Sequence, residues 1–277
     1  MIKKVLKKET ITAVVPALNE EKDIRRCLGS LSWCDHIRVI WMGNDKTGEI
    51  TRKMGAELII RNRSAISNWP KVQENINWAI GTSTTDWVIR VDADEEVTPL
   101  LKEEILKILS SGVSNSAKEK PIAYGIPRYQ YFFGGFLKGG DWAYDRLVRL
   151  FRRGCARYDH LVHNHEQFAV TGAVGYLAGR LNHYSHPTLT AAMEKFNSYT
   201  STEILDHTES RSKAFYNLLT QPGYIFWRWL IWHRGYRDGL RGFIAAAYRA
   251  FYEFMLWSKY LEMLQSRPPI PIHENKD

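Results

Sequence analysis

The sequence predicts an α/β protein: a mostly parallel β-sheet with flanking helices, followed by a helical carboxy-terminal appendage. Three observations carry this. Short apolar, β-branched runs alternate with segments of helical periodicity from Ile11 to Val91. Residues 122–184 then change to short strands punctuated by glycines, among them Gly125, Gly134-Gly135, Gly139-Gly140 and Gly154. After His186-Pro187 the pattern is helical to about residue 264.

The elements follow in order. Ile11-Thr-Ala-Val-Val reads as a buried strand leaving through Pro16-Ala-Leu-Asn. Glu20 to Ser30 is a helix, with Ile24, Cys27, Leu28 and Leu31 at helical spacing. Ile37 to Trp41 is the second strand, and Thr47 to Met54 a helix closed by Gly55. Glu57 to Ile60 is the third strand, Val72 to Ile80 a helix closed by Gly81, Trp87 to Val91 the fourth strand and Leu100 to Ser110 a further helix. Residues 111–120 read as a polar loop, and Arg267-Pro-Pro-Ile-Pro-Ile as extended chain. The expected division is a sheet-bearing domain over residues 1–186 and a helical region over 187–277.

Composition excludes several classes. With 44% hydrophobic and 25% charged residues the chain is globular rather than disordered. Three cysteines, Cys27, Cys34 and Cys155, make no disulfide framework or metal spacing and fit a reducing cytoplasm. The basic start, Met1-Ile-Lys-Lys-Val-Leu-Lys-Lys, is followed by an apolar stretch too short for a secretion signal. The longest uncharged apolar candidate, Ala214 to Trp227, contains Pro222 and is too short to span a bilayer.

In parallel α/β sheets ligands bind at the carboxyl ends of strands. Asn19, the loop from Met42 to Asp45, and Asp92-Ala93-Asp94 all fall there. Strand alternation would put Asp92 and Asp94 on one face, where hard oxygen donors suit Mg²⁺ or Mn²⁺ bridging a diphosphate. The competing reading is a pair of loop or helix-cap carboxylates ahead of Thr98-Pro99.

Val14-Val-Pro-Ala-Leu-Asn-Glu-Glu, Asp86-Trp-Val-Ile-Arg-Val-Asp-Ala-Asp-Glu-Glu-Val and Leu147-Val-Arg-Leu-Phe-Arg-Arg-Gly resemble, in order and spacing, the inverting family 2 glycosyltransferases of GT-A fold. Within that family the chain is most similar to the lipopolysaccharide-core β-glucosyltransferases, from about residue 10 to 264. The resemblance implies a GT-A fold and an inverting, metal-dependent transfer of a hexose from a nucleotide sugar to a cell-envelope glycan or lipid-linked acceptor. It implies Asp94 as metal ligand, Asp92 as a contact to the donor ribose or metal, and Asn19 and Glu20 as the first donor loop. Asp45 matches a later donor-loop Asp, and Lys71, Asn75 and Asn77 fall in a segment near the donor. Trp41 or Met42 stands where the family's nucleobase-holding Asp is expected; neither offers a carboxylate acceptor. UDP is therefore the first expectation, with the base open.

An inverting transfer needs a general base, and Asp145 and Glu166 are the two candidates, Asp145 ahead; Asp141 reads as a loop carboxylate. Alternation along Leu147 to Arg153 puts Arg149 on one face with Phe151, and Arg149 is the candidate cation for the diphosphate. His163, His165 and His183 match no zinc spacing. Two roles are open for His165: completing a metal shell beside Asp94, or, with Glu166, organising the acceptor or base.

From Arg211 to Lys259 eight Lys or Arg face two acids, which accounts for most of the net charge of +8. Trp227, Trp229, Trp232 and Trp257 are interleaved with them. This pattern predicts a peripheral association with the inner face of a cytoplasmic membrane. No nucleic-acid motif accompanies the charge. The alternative to an enzyme is a degenerate GT-A module that binds a glycan or protein partner without catalysis.

Overall fold

The computed structural model describes residues 8–61, 69–110, 120–159, 168–186 and 188–266. The chain divides into two compact units, residues 1–136 with 142–185, and residues 137–141 with 186–277.

The first unit is built on β1 (Ile11–Ala17), β2 (His36–Trp41), β3 (Glu57–Ile60) and β4 (Trp87–Arg90), parallel in the order β3-β2-β1-β4. Every residue of β1 is buried, because it lies between two strands and both its faces are covered. Ile11, Ala13 and Val15 face a core shared with α1 (Ile24–Ser30) and α4 (Pro99–Ser110). Val14 faces the opposite core, with Ile76 and Ala79 of α3 (Trp69–Gly81). The short α2 (Thr47–Lys53) completes the alternation.

Beyond β4 the sheet turns antiparallel. β8 (Arg146–Arg152) pairs with β4, and β6 (Ala123–Phe132) pairs with β8. The short β5 (Glu95–Val97) runs antiparallel to β12 (Leu181–His186), which lies next to β6 in the sheet order. Two further short strands, β7 (Gly135–Phe136) and β11 (Val174–Tyr176), flank β6; β9 (Ala156–Arg157) and β10 (Ala169–Val170) form a separate ribbon. β11 pairs with β6 in parallel, so the later part of the sheet is mixed rather than wholly antiparallel.

Two boundaries move. The first helix begins at Ile24 rather than Glu20; the N–H groups of Glu20 and Glu21 ahead of it donate to Thr47 Oγ1 (2.8 Å) and Asp45 Oδ2 (2.9 Å). The fourth strand ends at Arg90, and the chain then turns through Asp92 and Asp94, with the Glu95 N–H donating to the Asp92 carbonyl at 2.9 Å.

The second unit consists of α5 (Leu189–Glu203), α6 (Arg211–Trp227) and the long α7 (Leu240–Ser266). Tyr248 and Tyr260 tie α7 to the unit by donating to the carbonyls of Ala192 and Glu209, both at 2.8 Å. Phe196 of α5 packs edge-on against Tyr248 and Tyr252. Among the described residues no helix is long and apolar enough to cross a membrane.

Candidate active site

The carboxyl ends of β1, β2 and β4 bring three loops to the positions expected for a ligand. In the first two, side chains substitute for missing backbone partners. Asn19 Oδ1 accepts from the Asn44 N–H at 2.9 Å, and Asp45 caps α2 by accepting from the Thr47 N–H at 3.0 Å. Burial pushes the Asp45 carboxyl up, but the bonds from Thr47 and the Glu21 N–H outweigh it and hold the group below its ordinary value. Gly43 sits against this loop so closely that a Cβ would stand 1.7 Å from the Leu18 carbonyl oxygen and 2.3 Å from Asn19 Oδ1. Trp41 and Met42 are buried, and Trp41 Nε1 donates to the Leu18 carbonyl at 3.1 Å.

The third loop carries the acid pair, and its two carboxylates part company. Since β4 stops at Arg90, Asp92 and Asp94 lie in the turn that follows it and take different ion-pair partners. Asp92 turns inward to two guanidinium groups. Arg90 Nη2 reaches Oδ1 at 2.9 Å and Arg149 Nη2 reaches Oδ2 at 2.9 Å. Burial would raise the Asp92 carboxyl, yet Arg149 and then Arg90 hold it well below the usual carboxylate range. Asp94 turns toward His183 instead, with Oδ2 at 3.2 Å from Nε2.

The inward group extends into a chain of alternating charge. Glu95, fully buried, accepts from the Asp92 N–H at 2.9 Å and stands 3.6 Å from Arg149 and 3.5 Å from Arg128. Burial, with Asp92 nearby, pushes its carboxyl up despite Arg149. Arg128 also pairs with Asp145. Three guanidinium groups, on β4, β6 and β8, thus face three carboxylates, and a path of ion pairs runs from the acid turn to Asp145. Arg90 is further held by the Tyr158 hydroxyl. Tyr158 is in turn clasped by Asn77, whose amide donates to its carbonyl and accepts from its N–H, both at 2.9 Å.

The other expected residues are placed as follows. Glu20 lies in the first loop, its N–H on Thr47, and Lys71 is exposed on α3. Asn75 is buried and accepts from Arg61 Nε at 3.1 Å. Arg149 is fully buried and its guanidinium meets acids of its own chain. Asp141 belongs to the second unit, where it pairs with Arg228 and His233. Glu166, His163 and His165 lie outside the described residues. Four participants were not singled out from the sequence as site residues: Arg90, Glu95, Arg128 and Tyr158. Arg90 had a signal, a lone charge inside an apolar strand. In the sequence His183 is one of three histidines with no recognisable spacing; its place is set by the β5–β12 register, which pairs it with Glu95.

Asp94 and His183 form an ion pair at 3.2 Å, a separation also compatible with two ligands of one divalent cation. Two atoms in adjacent octahedral positions, each about 2.1 Å from one ion, stand about 3 Å apart; the observed 3.2 Å matches that. The mixed oxygen and nitrogen set suits Mn²⁺ better than Mg²⁺, which prefers oxygen alone. Among the described residues no group of three or more His, Cys, Asp or Glu that could hold a metal ion occurs.

The sequence profile of glycosyl transferase family 2 matches residues 12–176, which include both loops, the acid turn and β8. The chain belongs to that family. It is a glycosyltransferase, and its mixed sheet with flanking helices is the GT-A class. Relatives extend the match to both units. The lipopolysaccharide core biosynthesis glycosyltransferase LpsC of Rhizobium meliloti is 27% identical over 96% of this chain and 98% of its own length. An uncharacterised glycosyltransferase of Rickettsia typhi is 25% identical over 93% and 89%. Among solved structures, glucosyl-3-phosphoglycerate synthase of Mycobacterium tuberculosis, in complex with Mn²⁺, UDP and phosphoglyceric acid, overlaps 46% of this chain and 44% of its own, with 22% identity and a TM-score of 0.33. Staphylococcus aureus TarS overlaps 46% of this chain and 22% of its own, with 19% identity and a TM-score of 0.33.

Proposed function

We propose that this family 2 glycosyltransferase moves a hexose, with inversion, from a nucleotide sugar to a lipid-anchored glycan of the lipopolysaccharide-core type. It does so at the cytoplasmic face of the membrane with a divalent cation. The observation that carries the chemistry is the Asp94–His183 pair, held 3.2 Å apart beside an Asp92 already neutralised by two arginines. LpsC's likeness over nearly the whole chain supports the acceptor class.

In this reading Asp94 and His183 would hold Mn²⁺ or Mg²⁺, which when bound would supply charge for the departing diphosphate. Asn19, Glu20 and Asp45 form the donor loop, and Lys71 lies at its margin. Arg149 and Arg90 fix Asp92, and with it the turn on which Asp94 sits. Asp145 takes the proton from the acceptor hydroxyl as its oxygen forms the new bond to the sugar C1. The C1–O bond to the diphosphate breaks, and the nucleoside diphosphate leaves with that electron pair. Arg128 orients Asp145 through their ion pair. Base help of this kind contributes roughly 10²–10⁴-fold. Glu166 is the other candidate for the role.

The test is turnover of UDP-, GDP-, ADP- and dTDP-sugars with and without Mn²⁺. Asp94→Ala and His183→Ala should each remove metal-dependent turnover while the far-UV circular dichroism and melting midpoint stay near wild type. Absence of turnover with every donor would refute the enzymatic reading. A non-catalytic glycan- or protein-binding module draws on one observation, the buried Trp41-Met42 where a base-holding acid is expected. Calorimetry showing no nucleotide binding with Mn²⁺ would favour it.

A further inference from the structure

The turn that joins α6 to α7 exposes an unusual surface. Residues 228–232 form a π-helical turn, with the His233 N–H donating to the Arg228 carbonyl at 2.9 Å. An i→i+5 turn brings residues five apart over one another. Trp227 and Trp232, 57% and 62% exposed, therefore share a side, while Trp229 between them is fully buried. Leu240, 72% exposed, and the exposed Phe243 open α7 just beyond. Phe226 makes ring contacts with Trp227 and Phe243, and Tyr224 with Trp232, so two aromatic clusters support the exposed indoles.

That apolar surface continues along α7. Phe243, Phe251 and Phe254 are exposed at helical spacing, opposite the buried Ala245, Ala246, Tyr248 and Leu256. A helix apolar on both sides has one face in its own core and another awaiting a partner.

The charge beside the patch is positive. Arg234 and Arg237 are exposed in the turn. Its acid, Asp238, is engaged by the backbone N–H groups of Lys138 and Gly139 at 2.9–3.0 Å. The turn is also held in shape. Arg234 takes a left-handed conformation (φ 56°), and the Gly140 N–H donates to the His233 carbonyl at 2.8 Å. Gly139 and Gly140 approach so closely that a Cβ on either would meet Arg234 or Trp229 within 2.4 Å. A surface presented without reordering loses little conformational entropy on binding.

We propose that this turn and the exposed stripe of α7 are a docking surface for an anionic lipid bilayer, with Trp227 and Trp232 inserted at the headgroup level and Arg234 and Arg237 against lipid phosphates. Exposed tryptophan interleaved with arginine is the chemistry of an interfacial helix. The proposal rests on the reading that the acceptor is lipid-anchored, but its test needs neither donor nor acceptor.

The experiment is cosedimentation of the full chain with vesicles of phosphatidylcholine alone and of phosphatidylcholine with phosphatidylglycerol, together with tryptophan quenching by brominated lipid. The expected result is binding to the anionic vesicles, quenching there, and weakening with salt. Arg234→Glu and Arg237→Glu should each lower the partition by about fivefold or more. Trp227→Ala/Trp232→Ala should abolish quenching by the brominated chains with circular dichroism unchanged. Equal binding to both vesicle types, or undiminished binding by the combined variant, would overturn the proposal. So would a dimer that dissociates in the Trp variant and ignores vesicles, since the surface would then belong to a second copy. Lost vesicle binding with donor turnover intact refutes only this proposal; the reverse result refutes only the enzymatic reading.

Discussion

Arg149→Met is the sharpest probe of the charge chain beneath the acid turn. The side chain is fully buried, with Nη2 at 2.9 Å from Asp92 and 3.6 Å from Glu95. Removing it leaves three carboxylates facing two guanidinium groups, one of the carboxylates, Glu95, without solvent access. Breaking a buried pair from one side costs about 3–5 kcal/mol, because the remaining charge keeps its desolvation penalty and loses its partner. For a protein of this size that lowers the first melting transition by on the order of 10 °C. The assay is thermal unfolding followed by circular dichroism, run beside the double variant Asp92→Asn/Arg149→Met. If the cost is an uncompensated charge, neutralising Asp92 should recover part of it, and the double variant should melt above Arg149→Met. A single variant within about 1 kcal/mol of wild type, or a double variant no better than the single one, would refute the reasoning.

Other consequences are equally direct. Gly43→Ala must displace the backbone at Leu18, since the new Cβ would stand 1.7 Å from its carbonyl oxygen. It should cost ~1–3 kcal/mol in denaturant unfolding and weaken nucleotide binding by calorimetry. Asn77→Ala removes both hydrogen bonds to the Tyr158 backbone. A loss of ~2 kcal/mol is expected, with reduced donor turnover because Tyr158 steadies Arg90; unchanged turnover at full folding would remove Asn77 from that chain of support. Burial, then Asp35, pushes the Cys34 thiol up to about 12. Burial, then Glu95, pushes Cys27 up as well. A raised thiol pKa means less thiolate at pH 8, so both should resist a disulfide reagent until denaturant is added; rapid labelling of either in the native protein would contradict their placement.

Several features were legible in the residues themselves because they depend on local patterning. The β1 run Ile11-Thr-Ala-Val-Val, the helices between strands, and the ligand loops after β1, β2 and β4 all follow from apolar periodicity and the rule that parallel strands bind at their carboxyl ends. The ordered motifs marked family 2, and the profile match over residues 12–176 agrees. Other features required strands distant in sequence to find their register. β5 is three residues long, too short to leave a periodic signal, yet its pairing with β12 sets His183 opposite Glu95 and beside Asp94. The early end of β4 at Arg90 leaves Asp92 and Asp94 in a turn, where they take different ion-pair partners, which no alternation rule anticipates. Arg90 and Arg149 are surface-type residues by composition; only the convergence of β4 and β8 over Asp92 and Glu95 explains their burial. By itself, then, the sequence determined the parallel strands β1–β4, the family and the place of the acid pair after β4. Tertiary structure decided which acid is neutralised within the chain and which stands beside a histidine, because long-range ion pairing and strand register depend on contacts that periodicity does not encode.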